Sequence, residues 1–251
     1  MISYKGVFKT YGYLLVLNGV TADFEPGVVH ALVGPNGSGK STMLRMAVGL
    51  TRPDHGEVSV AGLNPAREPE RVKRIVGYVP EEVSLYESLT PAETFSLVSW
   101  AYGLGRGSES RIDWIVDLFG LRGDLNRLVG ELSLGTKRRL MIGLALTHDP
   151  RVLIMDEPFS GLGPEGAIIV KEILRRSAEE GRTVLFSTHI LELAEAVADI
   201  VTILHRGSVV ARGSPEDLRD LHEASSLEGV FMKSTKLDRR LRKILTILRG
   251  E

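Results

Sequence analysis

Gly34-Pro35-Asn36-Gly37-Ser38-Gly39-Lys40-Ser41 follows the apolar run Val28 to Val33 and precedes Thr42-Met43-Leu44-Arg45-Met46. The order strand, glycine-rich turn, helix is the setting in which G-x-x-x-x-G-K-[ST] forms a phosphate-binding loop. Glycines let the main chain curl until successive N–H groups point at phosphate oxygens. The helix opening at Lys40 or Ser41 adds the positive end of its dipole. Lys40 has the reach to meet β- and γ-phosphates, and the Ser41 hydroxyl is a ligand for Mg2+. The plain structural alternative is a glycine-rich turn that only caps a helix. The strand and helix on either side favour binding of a nucleoside triphosphate instead.

Upstream of this loop, short strand-like runs are cut by Gly12, by Asn18-Gly19 and by Glu25-Pro26-Gly27. Asn18-Gly19 predicts a tight turn between two strands. Downstream, the loop Gly49 to Gly56 leads into the alternating run Glu57-Val58-Ser59-Val60-Ala61, and Arg74 to Val79 reads as a strand stopped by Pro80. From Thr90 to about Asp149 the periodicity becomes helical, with Pro91 suited to a first turn and Ile112, Ile115, Val116 and Phe119 at helix spacing. Strands return at Val152 to Met155, Thr183 to Ser187 and Ile200 to Leu204, and Arg206-Gly207 predicts a hairpin. The pattern is an α/β core with a helical insert between its halves.

Composition narrows the function. The chain has 251 residues, 43% of them hydrophobic, enough for one large α/β domain or a core with a smaller insert. A net charge of −1 supplies no global field to recruit nucleic acid, so no nucleic-acid partner is expected. The absence of cysteine excludes disulfides, Fe–S ligation and cysteine-type zinc sites. No run approaches the roughly 20 apolar residues that span a bilayer, and the N-terminus lacks a signal core. A soluble product is the expectation.

Val152-Leu153-Ile154-Met155 ends in Asp156-Glu157-Pro158. Such a run suits a buried parallel strand whose C-terminal end opens onto the ligand crevice. Asp156 there has the means to hold the Mg2+ shell, and Glu157 to polarise a water in line with the γ-phosphate. An acidic pair capping a helix is the ordinary alternative, and the phosphate loop upstream weighs against it.

Taken together, these segments resemble the ATP-binding subunit of the ATP-binding cassette (ABC) superfamily over essentially the whole chain. Leu132-Ser133-Leu134-Gly135-Thr136 resembles the L-S-G-G-Q signature, entering a helix at Lys137 to Thr147. Ser160-Gly161-Leu162-Gly163 resembles the D-loop, Ser187-Thr188-His189 the switch-histidine segment, and Lys9-Thr10-Tyr11-Gly12 the place of the aromatic that stacks on adenine. The resemblance implies an α/β fold with a P-loop NTPase (RecA-like) core, an antiparallel β subdomain and an inserted α-helical subdomain. Core and β subdomain take residues 1–89 and 150–213, the signature-bearing helical subdomain 90–149, and a helical extension 214–251. ATP and Mg2+ are the implied ligands.

ATP contacts then fall on Tyr11, Gly34, Pro35, Asn36, Gly37, Ser38, Gly39, Lys40, Ser41 and Thr42. Metal contacts fall on Ser41, Glu81 and Asp156, and catalysis on Glu157 and His189. His189 follows an apolar strand, from which it has the reach to meet the γ-phosphate and hold the attacking water. Ser133 and Gly135 would serve the ATP of a partner subunit in a head-to-tail dimer, formed with a second copy or with another ABC subunit. Ser133 is equally suited to a helix N-cap, and the two roles are compatible. Tyr11 reads either as the purine's platform or as an edge-strand tyrosine.

Three places depart from the family pattern. Glu81 stands where a metal-contacting glutamine is usual, retaining an oxygen ligand but adding negative charge beside phosphates. In the signature Leu134 replaces the first glycine, which requires φ < 0, and Thr136 replaces glutamine. Gly163 stands where the D-loop carries aspartate. Lys40, Ser41, Asp156, Glu157 and His189 are intact, so hydrolysis is expected.

A single cassette without a span implies a separately encoded transmembrane permease, docked near Glu81 to Leu89. The chain would then lie in the cytoplasm, peripheral to the membrane through that permease. Tyr86 and Leu89 are available to that contact or pack under the helical insert. The run Gly77 to Thr90, with Pro80-Glu81-Glu82, and the tail Ser226 to Phe231 are similar to the branch serving ABC-2 type exporters. The other reading is a soluble ABC ATPase working with a cytosolic scaffold. Leu237, Leu241, Ile244, Leu245 and Leu248 form a helical stripe among Lys and Arg. That segment suits an anionic membrane or a pack against its own domain.

Overall fold

Period-two alternation and glycine-marked turns shape the first quarter of the chain. In the computed structural model, which describes residues 1–235, β1 (Ile2–Tyr11) and β2 (Leu14–Phe24) form an antiparallel hairpin. It leads into β3 (Val29–Val33), the phosphate loop and α1 (Lys40–Ala47). Next come β4 (His55–Val60), α2 (Pro69–Lys73) and β5 (Val76–Val79). Three α-helices follow before the chain returns to strand: α3 (Pro91–Tyr102), α4 (Glu109–Leu118) and α5 (Leu134–Leu146). Then β6 (Val152–Asp156), α6 (Pro164–Glu179), β7 (Thr183–Thr188) and α7 (Leu191–Val197) alternate. The described chain closes with β8 (Ile200–His205), β9 (Ser208–Gly213), α8 (Pro215–Leu221) and α9 (Leu227–Ser234). The stripe from Leu237 to Leu248 falls outside the described residues.

The strands make two sheets. The antiparallel one has the order β2-β1-β4, and the larger one the order β5-β6-β7-β3-β8-β9. All neighbours in the larger sheet are parallel except the edge pair β8–β9. Arg206-Gly207 is the turn of that pair, as expected.

Successive side chains of the inner strands supply two cores. Val29, Ala31 and Val33 of β3, Leu153 and Met155 of β6, and Val184 and Phe186 of β7 pack with α3 to α7. Leu32, Ile154 and Leu185 point the other way, onto α1 and the antiparallel sheet. Burial on both faces is why these strands read as unbroken apolar runs rather than alternating ones.

Asn18-Gly19 is not a turn. Both lie inside β2, which runs on to Phe24, and the hairpin reverses at Gly12-Tyr13. Gly19 holds φ +65 where the β1–β2 register shifts, so the left-handed residue marks a bulge. A Cβ there would also lie 3.2 Å from the Phe8 ring. The signature helix begins at Leu134, three residues before the expected start, because Ser133 caps it: its Oγ accepts from Thr136 N.

Candidate functional site

The phosphate loop leaves the C-terminal end of β3, in the middle of the parallel sheet, and enters α1. Gly39 is the N-cap at φ +108, and a Cβ there would stand 2.6 Å from Leu17 Cδ2 and 3.0 Å from Val16 O. Only glycine fits that joint. Loop residues Asn36 to Thr42 line a cleft of about 240 Å3 with Leu14, Val16, Glu81 and Glu157.

Lys40 is buried at 6% exposure and its Nζ donates to Gly34 O at 2.7 Å. The same Nζ lies 3.9 Å from Glu157 Oε1. Burial holds the Lys40 ammonium below the usual lysine range, against the pull of Glu157, Asp156 and Glu81.

Asp156 and Glu157 sit at the end of β6, next but one to β3. Ser187 Oγ, from the end of β7, donates to Asp156 Oδ1 and accepts from Glu157 N at 3.0 Å. Asp156 Oδ2 is buried and has no partner among the described residues. A buried carboxylate oxygen without a protein partner suits a cation. Ser41, Glu81 and Asp156 are oxygen donors of the kind Mg2+ takes, and phosphate oxygens and water would have to complete its shell. No group of three acidic or histidine side chains among the described residues makes a metal cage without such help.

His189 Nδ1 lies 3.0 Å from Glu157 Oε1, with the imidazole half exposed. A carboxylate acceptor favours the tautomer that carries its proton on Nδ1. One oxygen of Glu157 thus has an ammonium on one side and an imidazole on the other.

Of the expected residues, Tyr11, Gly34, Pro35, Ser133, Gly135, Asp156 and His189 are not among those lining this cleft. Tyr11 ends β1 with its hydroxyl 3.4 Å from Thr51 Oγ1, and Leu14 and Val16 form the apolar wall nearest the loop. Ser133 and Gly135 line a separate cleft of about 280 Å3 with Thr136, Arg139, Leu162 and Gly163. There the signature meets the D-loop of its own chain, Gly161 O lying 3.3 Å from where a Gly135 Cβ would be. Glu81 to Leu89 runs from β5 to α3, tied down by the Glu87–Lys137 ion pair at 3.0 Å. Tyr86 is 67% exposed in it, and beside it Leu89, Leu97 and Trp100 line an open groove.

Sequence reasoning missed Arg138. Its Nη1 donates to Pro80 O and Glu81 O, its Nη2 to Asp156 O and Glu157 O. The basic triplet Lys137-Arg138-Arg139 reads as a solvated face, and only the helix phase separates its buried member.

A phosphate loop at the switch of a parallel sheet, with an acidic pair on the next strand but one, defines a P-loop nucleoside triphosphatase. The antiparallel sheet and the helices between β5 and β6 make it a cassette ATPase. The chain matches the ABC transporter family over residues 17–160, more than half of its length. It belongs to that family, as an ATP-binding ATPase subunit. The Nod factor export ATP-binding protein I of Rhizobium etli is 36% identical over 220 residues, 87% of this chain and 70% of that one. A solved ATP-binding subunit of an ABC transporter shares the fold at TM-score 0.89 with 35% identity, covering 94% of this chain and 99% of the other. A dimeric post-hydrolysis structure of the cassette MJ0796, bound to ADP and Pi, gives TM-score 0.76 at 26% identity, over 85% of this chain and 98% of that one.

Proposed function

We propose that this chain hydrolyses MgATP with Glu157 as general base and drives export through a separately encoded permease of the ABC-2 type. The observation that carries the chemistry is the meeting of Lys40 and His189 at one oxygen, Glu157 Oε1, at 3.9 and 3.0 Å. Incoming γ-phosphate draws Lys40 away from Gly34 O, and the loop N–H groups and the α1 dipole take up phosphate charge. Glu157 then accepts the proton of the attacking water, which His189 steadies. Ser41, Glu81 and Asp156 would hold Mg2+, which would supply neutralisation of phosphate charge. Adenine is proposed to lie over the β1–β2 hairpin, against Leu14 and Val16, with Tyr11 as its ring partner.

Ser133 and Gly135, in their own cleft, are proposed to serve the nucleotide of a second cassette in a head-to-tail dimer. The dimeric MJ0796 cassette supports this reading. The Rhizobium relative, called an export protein, supports the direction of transport. No described helix is long and apolar enough to cross a membrane, so a permease would supply the pathway. The segment Glu81 to Leu89, with exposed Tyr86, is its proposed seat on the cytoplasmic face.

Glu157→Gln should bind MgATP with near wild-type affinity and lose turnover by about 100-fold or more. A rate within threefold of wild type overturns the role of Glu157. Affinity capture from detergent-solubilised membranes should bring a polytopic membrane protein with the chain. Capture of soluble proteins alone overturns the permease reading.

A further inference from the structure

Arg138 heads the large side chains that the fold buries, with 2% of its surface exposed. A guanidinium taken out of water is unfavourable unless its N–H groups find acceptors. Its Nη1 and Nη2 find four main-chain carbonyls, Pro80 O at 2.8 Å, Glu81 O at 2.6 Å, Asp156 O at 2.9 Å and Glu157 O at 2.6 Å, while its buried Nε has no partner among the described residues.

Their placement has a reason in the sheet. The parallel ladder between β5 and β6 ends at Val79↔Met155, where Pro80 has no N–H to continue it. Beyond that point the planar fork of Arg138 takes the carbonyls that the ladder leaves. Three of the four belong to the residues whose carboxylates surround Lys40.

Glu157 needs such a hold. It sits at φ +48, in the left-handed region that a residue with a side chain seldom adopts. Arg138 fixes its carbonyl, and Ser187 Oγ fixes its N–H at 3.0 Å. With the backbone held at both ends, the carboxylate is directed at Lys40 and His189. Arg138 itself rides on α5, five residues after Ser133, the cap of that helix.

We propose that Arg138 is a positioning residue for hydrolysis, which fixes Glu157 and ties the three acidic residues to the signature helix. A shift of α5, when Ser133 meets the second nucleotide, then reaches the base of the chain's own site through one rigid side chain. The proposal rests on the reading of Glu157 as the base. Lysine cannot replace it, because one ammonium with three donors does not serve four carbonyls drawn from two segments.

The experiment measures MgATPase kinetics and MgATP binding for Arg138→Lys and Glu157→Gln, with folding followed by circular dichroism. Folded R138K should lose at least tenfold in kcat while KM and the MgATP Kd stay within threefold of wild type. A purely structural role lowers the melting temperature and leaves kcat intact below it. A kcat within twofold of wild type, or a loss confined to KM, overturns the proposal. Should R138K fail to fold, Arg138→Gln carries the same test with the same two outcomes. Full turnover by E157Q removes the base and this proposal together, whereas an inactive E157Q beside a fully active R138K removes this proposal alone.

Discussion

Glu81, Asp156 and Glu157 bring three carboxylates to bear on the Lys40 ammonium. Removing one of them, Glu81→Gln, takes away a charge that repels ATP but is offset by Mg2+. At several ångströms in a water-filled cleft one such charge is worth about 0.5–1 kcal/mol. E81Q should therefore bind metal-free ATP about two- to fivefold tighter, with a smaller change for MgATP. Titration of a fluorescent ATP analogue in EDTA and in excess Mg2+ checks this, and an equal gain in both contradicts it. The phosphate loop and the acidic pair were readable because each is a local pattern with one structural setting. Arg138, and the bond from Glu157 N to Ser187 Oγ, were not. Their work is done on backbone atoms of distant segments, such as Glu81 O, 57 positions from Arg138, and no spacing rule records that.

Thr90 shows what element-level signals encode well. Its Oγ1 accepts from Glu93 N at 3.2 Å while Glu93 Oε2 accepts from Thr90 N at 2.8 Å, a capping box followed by Pro91. The bonds to Thr90 N and Oγ1 hold the Glu93 carboxyl below the usual carboxylate range. Thr90→Ala should cost about 1 kcal/mol, or roughly 2–4 °C in melting temperature, and leave kcat/KM for MgATP unchanged. A melt together with a steady-state assay decides it, and a fall in activity without a fall in stability contradicts it. Helix starts are legible because the cap, the proline and the acid lie within four residues. Asn18-Gly19 misled for the complementary reason. A left-handed glycine after asparagine serves a hairpin turn and a bulge alike, and only pairing with β1 across the sheet decides between them.

At the scale of the whole molecule, the strands' burial on both faces made the α/β class legible, while the joints between layers stayed hidden. His148 is one of these joints. Its ring stacks on Tyr102 at the end of α3, with centroids 4.0 Å apart, and its Nε2 lies 3.1 Å from Val76 O in β5. It thereby pins the helices between β5 and β6 to the parallel sheet. Burial holds His148 below the usual histidine range, aided by Arg111 and opposed by the Val76 carbonyl and Asp149. His30, fully buried beside Phe24, is lowered for the same first reason. The sign follows. Below about pH 6.5 the unfolded chain takes up protons that the folded chain refuses, so stability falls as pH falls through that value. The loss continues toward the lower folded-state values. Each such histidine should remove about 1 kcal/mol between pH 7.5 and 5.5. His148→Phe keeps the stack on Tyr102 but cannot take up a proton, and it forfeits the bond to Val76 O at about 1 kcal/mol. Urea unfolding should thus find H148F less stable than wild type at pH 7.5 and nearly equal to it at pH 5.5. A constant gap between the two at both pH values would show that His148 takes up its proton equally in the folded and unfolded chain, and that the joint is not acid-sensitive.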